Sequence, residues 1–110
     1  MGRYITTTGT AAVVIRSVNA NYTAQVNDRI LADSSGGVFT ITLPLNVNLI
    51  EGDTLQIIDV TNSFSASSVT LARNGSLIQG AADDLVVDVS GTVLTLLYTG
   101  NTYGWIVTSS

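Results

Sequence analysis

The feature that most constrains this chain is a missing one: no stretch carries apolar residues at helical spacing for three turns. Short runs rich in Val, Ile, Thr and Tyr recur instead, the residue types that suit a pleated, half-buried surface. Gly-, Asn-, Asp- and Ser-rich turn signals separate the runs at intervals of about 8–12 residues, the pattern of a sandwich or barrel. Strands are expected over 11–18, 22–26, 28–33, 38–43, 54–60, 69–73, 76–79, 85–89, 92–99 and 105–108.

Several of these segments also predict which face is buried. Phe39, Ile41 and Leu43 share one face and Val38, Thr40 and Thr42 the other, until Pro44 closes the run because it cannot donate to a ladder. Leu55 and Ile57 face one way, and Val69 and Leu71 point inward. Asn74-Gly75 is the strongest hairpin signal, since both residues tolerate the left-handed backbone of a type I′ turn; Ser76–Gln79 would be its return strand. Gly100-Asn101 opens a last hairpin that returns over Trp105–Thr108. Residues 1–10 are rich in Thr and Gly without any period. The expected fold is all-β: an antiparallel β-sandwich, jelly-roll-like, or a β-barrel, over 21–110, behind an extended N-terminal arm over 1–20.

At 110 residues the chain has room for one core. Only 11% of it is charged, against roughly 25% in an ordinary soluble domain, while 45% is hydrophobic. Thr, Ser, Asn and Gly make up most of the polar remainder. A freely diffusing monomer keeps a more charged skin, so part of this surface is expected to lie in subunit contacts. The net charge is −4, and the four Arg (Arg3, Arg16, Arg29, Arg73) form no basic stripe, which argues against nucleic acid as a partner. No apolar run approaches the ~18 residues of a membrane helix. There is no Cys and no secretory core ahead of Arg16. Gly2 with Thr6 fits the loose myristoylation pattern, which has meaning only in a eukaryotic cell.

His, Cys and Lys are all absent. That removes the usual neutral-pH base, the thiolate, the Schiff-base amine and the preferred zinc ligands. Carboxylates remain, with Asp53 and Asp59 at the two ends of one strand and Asp83, Asp84 and Asp88 further on. A glycosidase needs two of them facing across a cleft, and a Ca²⁺ site at Asp83-Asp84 would need more oxygen ligands. Asp in turns more simply caps its own backbone. No Gly-x-Ser-x-Gly elbow occurs, and Gly75 and Gly80 lack the Lys of a phosphate loop. Asn21-Tyr-Thr and Asn74-Gly-Ser match the glycosylation pattern by chance alone. The expectation is a protein that is not an enzyme and holds no cofactor or metal. Two aromatics offer one binding option: Tyr103 and Trp105 could stack on a sugar ring, although the lone Trp in a final strand also reads as core.

The order of motifs resembles a small β-rich virion module of tailed phages, cyanophages among them. Asp28-Arg-Ile-Leu-Ala-Asp33, Gly37-Val-Phe-Thr-Ile-Thr-Leu-Pro44, Gly52-Asp-Thr54 and Ile57-Ile-Asp-Val60 carry the first half. Val69-Thr-Leu-Ala-Arg-Asn-Gly-Ser76, Ile78-x-Gly80, Asp84-Leu-Val86, Tyr98 and Trp105-Ile-Val107 carry the second, so the resemblance spans roughly 22–108. It implies a non-enzymatic head-decoration (cement) or tail-fibre component, commonly trimeric, made in the host cytoplasm and built into the virion. Implied partners are further copies of the chain and the major capsid or tail proteins. Fibre proteins carry the module at the end of a long shaft, and here it follows only a short arm, which fits decoration better. A receptor-binding fibre tip that recognises host-surface glycan through Tyr103 and Trp105 is the alternative. The arm, through Arg3, Tyr4, Val13, Val14, Ile15 and Arg16, is expected to reach the partners, and strand addition to a neighbour's sheet is a natural mode for Ala11–Val18.

Overall fold

A computed structural model describes residues 13–109. The chain is β-rich, with nine strands among the described residues: β1 (Val14–Val18), β2 (Tyr22–Thr23), β3 (Asp28–Ala32), β4 (Phe39–Thr42), β5 (Thr54–Asp59), β6 (Val69–Ala72), β7 (Leu85–Val87), β8 (Val93–Tyr98) and β9 (Trp105–Ser109). The one helical element among these residues is a 3-10 turn over Asn46–Asn48.

The strands divide between two sheets. Sheet A runs β1-β3-β5-β8-β9 and sheet B runs β2-β4-β6-β7. From β1 to β6 the chain changes sheet at every step, and each strand lies parallel to the one two before it. After β6 the direction reverses. β7 runs antiparallel to β6, β8 antiparallel to β5, and β9 forms a hairpin with β8. The first six strands therefore wind as successive turns of a coil, and the last three close it by running back along both sheets.

This corrects the antiparallel expectation. It also corrects the barrel, since both sheets keep edge strands: β1 and β9 in sheet A, β2 and β7 in sheet B. The alternation of apolar and polar residues was legible because each sheet buries one face only. Burying one face produces the same period-two pattern whichever way the neighbouring strand runs.

One hydrophobic core draws on both sheets. Ile30, Leu55, Ile57, Leu96 and Trp105 enter it from sheet A, and Ile41, Val69 and Leu71 from sheet B, all fully buried. The predicted faces hold: Phe39, Ile41 and Leu43 are buried together, as are Leu55 with Ile57 and Val69 with Leu71. Asn74 and Gly75 both have positive φ (48° and 92°), and the Ser76 N–H donates to the Arg73 carbonyl at 3.2 Å, which is the expected tight turn. The return strand is not there. Ile78 makes only isolated bridges, to Ala81 and Trp105, and β6 pairs with β7 instead.

Of the expected arm over 1–20, residues 1–12 lie outside the described residues, and the stretch over 14–18 is corrected. Val14–Val18 is a strand of the domain's own sheet, in register with Asp28–Ala32. Arg3 and Tyr4 lie outside the described residues.

Candidate functional site

Two surfaces carry the residues singled out from the sequence: the edge formed by β1 and β2, and the hairpin joining β8 to β9.

At the first, β1 pairs on one side only, with β3, so among the described residues its other side is a free sheet edge. A free edge offers unpaired N–H and C=O groups to an incoming strand. Val14, Arg16 and Val18 stand opposite the inward positions Asp28, Ile30 and Ala32 of β3, while Ile15 stands on the outward face and is 67% exposed. Of the expected contact residues, Val13, Ile15 and Arg16 are exposed and Val14 is half-buried.

A buried carboxylate anchors this edge. Asp28, 1% exposed, accepts the Tyr22 hydroxyl at 2.6 Å and the Gln25 N–H at 2.9 Å. The Arg16 Nε lies 3.5 Å from its other oxygen, with much of its side chain in solvent, so that pair adds little on its own. The Tyr22 bond crosses from β2 of sheet B to β3 of sheet A and so ties the two sheets together beside this edge. Burial, reinforced by the bond to Asp28, pushes the Tyr22 phenol up to about 12.

That shift has a testable sign. An unfolded Tyr ionises near pH 10, so the folded chain holds this proton over a window in which the unfolded chain has lost it. Stability from this group is therefore complete below pH 10 and lost as pH rises toward 12. Denaturant titrations across that window should show a falling limb in the native protein. Tyr22→Phe should lose this group's share of the limb, and at pH 7 it should already be less stable by about 1–2 kcal/mol, because Asp28 loses a hydrogen bond where water is scarce.

The β8–β9 hairpin carries the two aromatics, and the structure separates them. Trp105 is 0% exposed and packs edge-on against Tyr98, ring centroids 5.4 Å apart. A sugar has no free face of this indole to stack on. The core reading of Trp105 holds and the optional paired platform is not formed, because the inward position of β9 opposite Tyr98 is a core position. Tyr103, in the turn, is 61% exposed and stands alone. On the same hairpin, Asn101 accepts the Tyr98 hydroxyl at 3.2 Å. Together with Asn46, Val47, Ile50 and Glu51 it lines an open hollow of about 480 Å³ that does not include Tyr103.

Three of the five carboxylates weighed as catalytic are engaged with backbone. Asp53 accepts the Ile50 N–H at 2.9 Å, and Asp84 accepts the Arg73 N–H at 3.0 Å. Asp59 is buried and takes three N–H groups, from Ser63 (3.0 Å), Phe64 (3.1 Å) and Gly91 (3.0 Å). Its carboxyl sits below the usual range. Burial works to raise it, and the donated hydrogen bonds outweigh burial. Among the described residues no three His, Cys, Asp or Glu side chains gather as metal ligands would.

Sequence reading missed Asp28 and Tyr22 as a pair and missed the anchoring role of Asp59. An apolar strand that opens on Asp, as in Asp28-Arg-Ile-Leu-Ala, is the one signal that could have flagged a buried carboxylate. The chain matches no protein-family model and no curated protein.

Proposed function

We propose that this protein is a non-enzymatic structural component of a phage virion, a capsid decoration (cement) protein that assembles as a homotrimer and stabilises the particle. In this reading the two sheets are the layers of a β-sandwich, and attachment comes from contact area and repetition rather than chemistry. Weak contacts repeated around a symmetric assembly add up to firm attachment.

The observation that carries the reading is the apolar surface of a sparsely charged chain. Val13, Ile15, Val38, Val47, Ile50, Val86 and Val89 are all exposed, on a protein with only 11% charged residues. Exposed apolar groups mark a contact surface where they gather into a contiguous patch. The edge of β1, free among the described residues, adds a place where a capsid or tail strand can dock, and the motif order along 22–108 supports the virion context.

Gold-labelled antibody against the protein, applied to intact particles and viewed by electron microscopy, tests this. Label spread over the head is expected. Label on the tail tip alone favours a second reading, a fibre tip that contacts host glycan through Tyr103, which its 61% exposure allows. Particles free of label overturn the virion assignment.

A further inference from the structure

The outward face of sheet A is built from rows that run across the strands. One row is Ser17–Leu31–Ile58–Val93, in register through β1, β3, β5 and β8. Beside it runs Ile15–Arg29–Gln56–Thr95. On the other side of the apolar row lies Asp33, which follows β3 with the same outward parity as Arg29 and Leu31. Along β3 this face therefore reads positive, apolar, negative, at steps of two residues. Among the described residues, Arg29 is the one charged group at an outward register position of this sheet, and Asp33 is the first residue past the end of β3.

Asp33 borders a hollow of about 320 Å³ whose other walls include Ser17, Leu31 and Val60. The carboxylate is fixed by the Ser35 N–H at 2.9 Å and the Ser35 hydroxyl at 2.6 Å. A single carboxylate at the side of a partly apolar hollow suits a guanidinium on an aliphatic stem. Arg29 of the same chain lies four residues away, about 13 Å along the strand, too far to fill the hollow itself.

We propose that this face binds the same face of a second copy, with Arg29 of each chain seated on Asp33 of the other. It rests on the reading that the protein assembles with copies of itself. A two-fold axis lying between the faces, above the apolar row, reverses the strand direction. It brings Leu31 onto Leu31, Ile58 onto Ile58 and Val93 onto Val93, and it sets both Arg29–Asp33 pairs at once, as an isologous contact requires. Apolar groups sit at the centre and charges at the rim, the usual anatomy of an interface. A stable interface takes about 800 Å² from each partner, and the molecule's largest extents, 46 by 35 Å, bound what any one face can offer.

Sedimentation equilibrium on native protein, R29D, D33R, the R29D/D33R double variant and I58D tests the contact, with circular dichroism to verify folding. Native protein should contain six copies, two homotrimers joined through this two-fold contact; two copies would keep the contact and overturn the trimer. R29D and D33R should each raise the dissociation constant at least tenfold by facing like charges, and the double variant should recover most of the loss. I58D places two carboxylates on the axis and should dissociate the pair. If D33R misfolds through loss of its bonds to Ser35, R29D and I58D still decide. Folded single variants that associate like the native protein overturn the proposal. A closed trimer also overturns it while leaving self-assembly intact, and a stable monomer overturns both.

Discussion

Asp59→Ala is expected to lower the melting temperature by about 15 °C. The carboxylate sits at the end of β5, where the chain leaves sheet A for sheet B. One oxygen accepts the Ser63 N–H, and the other accepts both Phe64 and Gly91. It therefore holds the β5–β6 connection and the β7–β8 turn to the same point. Phe64, fully buried, is positioned by one of these bonds. Alanine leaves three N–H groups to find water or go unpaired. At about 1 kcal/mol each, the low end for a lost buried partner, the loss is about 3 kcal/mol, and each kcal/mol moves the midpoint of a domain this size by roughly 4–8 °C. Asp59→Asn should recover little, because both oxygens are acceptors and an amide would turn a donor toward a donor. The pH dependence has a definite sign. The folded carboxyl lies below its unfolded value of 3.8, so its contribution is complete above that value and disappears as pH falls through the folded pKa. Differential scanning calorimetry from pH 2 to 7 should show a shallower acid limb in the Ala variant; an unchanged midpoint at pH 7 refutes the anchoring role.

Gly104→Ala is expected to be at least as damaging, for a reason of backbone proximity. Gly104 has a φ of 71°, which already disfavours any side chain. A Cβ there would lie on top of the Leu77 carbonyl oxygen and 2.8 Å from the Leu77 Cα, both of them backbone atoms with little freedom to retreat. That carbonyl also receives the Trp105 N–H at 2.8 Å, and the Gln79 N–H donates back to the Trp105 carbonyl at 2.7 Å. Relieving the clash means separating 77–79 from β9 and loosening Trp105, the largest fully buried side chain. A loss of about 3–4 kcal/mol is expected, within the range of severe single-site lesions. Intrinsic Trp fluorescence offers a direct readout, since a loosened indole emits at longer wavelength. A variant with native emission and native melting temperature would mean that the 77–79 segment yields easily. Gly36, where an added Cβ meets nothing within 4 Å, serves as the control: Gly36→Ala should be close to neutral.

Particular elements separate what was legible in the chain from what was not. Phe39-Thr-Ile-Thr-Leu announces a strand and names its buried face, because side-chain direction alternates by geometry alone. Asn74-Gly75 announces its turn, because few residue pairs tolerate two positive φ angles in succession. Both are local, and both hold. Trp105 also reads as core from its place in an apolar closing strand, and its burial removes half of the glycan platform that its spacing from Tyr103 had suggested. Tyr103 differs in standing in a turn, where it stays largely exposed.

What the tertiary structure alone decided is which strands meet. Periodicity specifies the buried face of a strand and is silent about its neighbour and direction. Phe39 pairs with Val69 and Arg29 with Gln56 across long connections that pass through the opposite sheet. The parallel winding of β1 to β6, the membership of Val14–Val18 in the domain and the failure of Ser76–Gln79 to return along β6 all follow from such distant pairings. The carboxylates belong to the same class. In sequence, Asp28, Asp53 and Asp59 are three acids near strand ends. Only the fold sets Asp28 beneath Tyr22 of the other sheet and Asp59 beneath Ser63, Phe64 and Gly91, because a buried charge is stable only where distant segments bring donors to it.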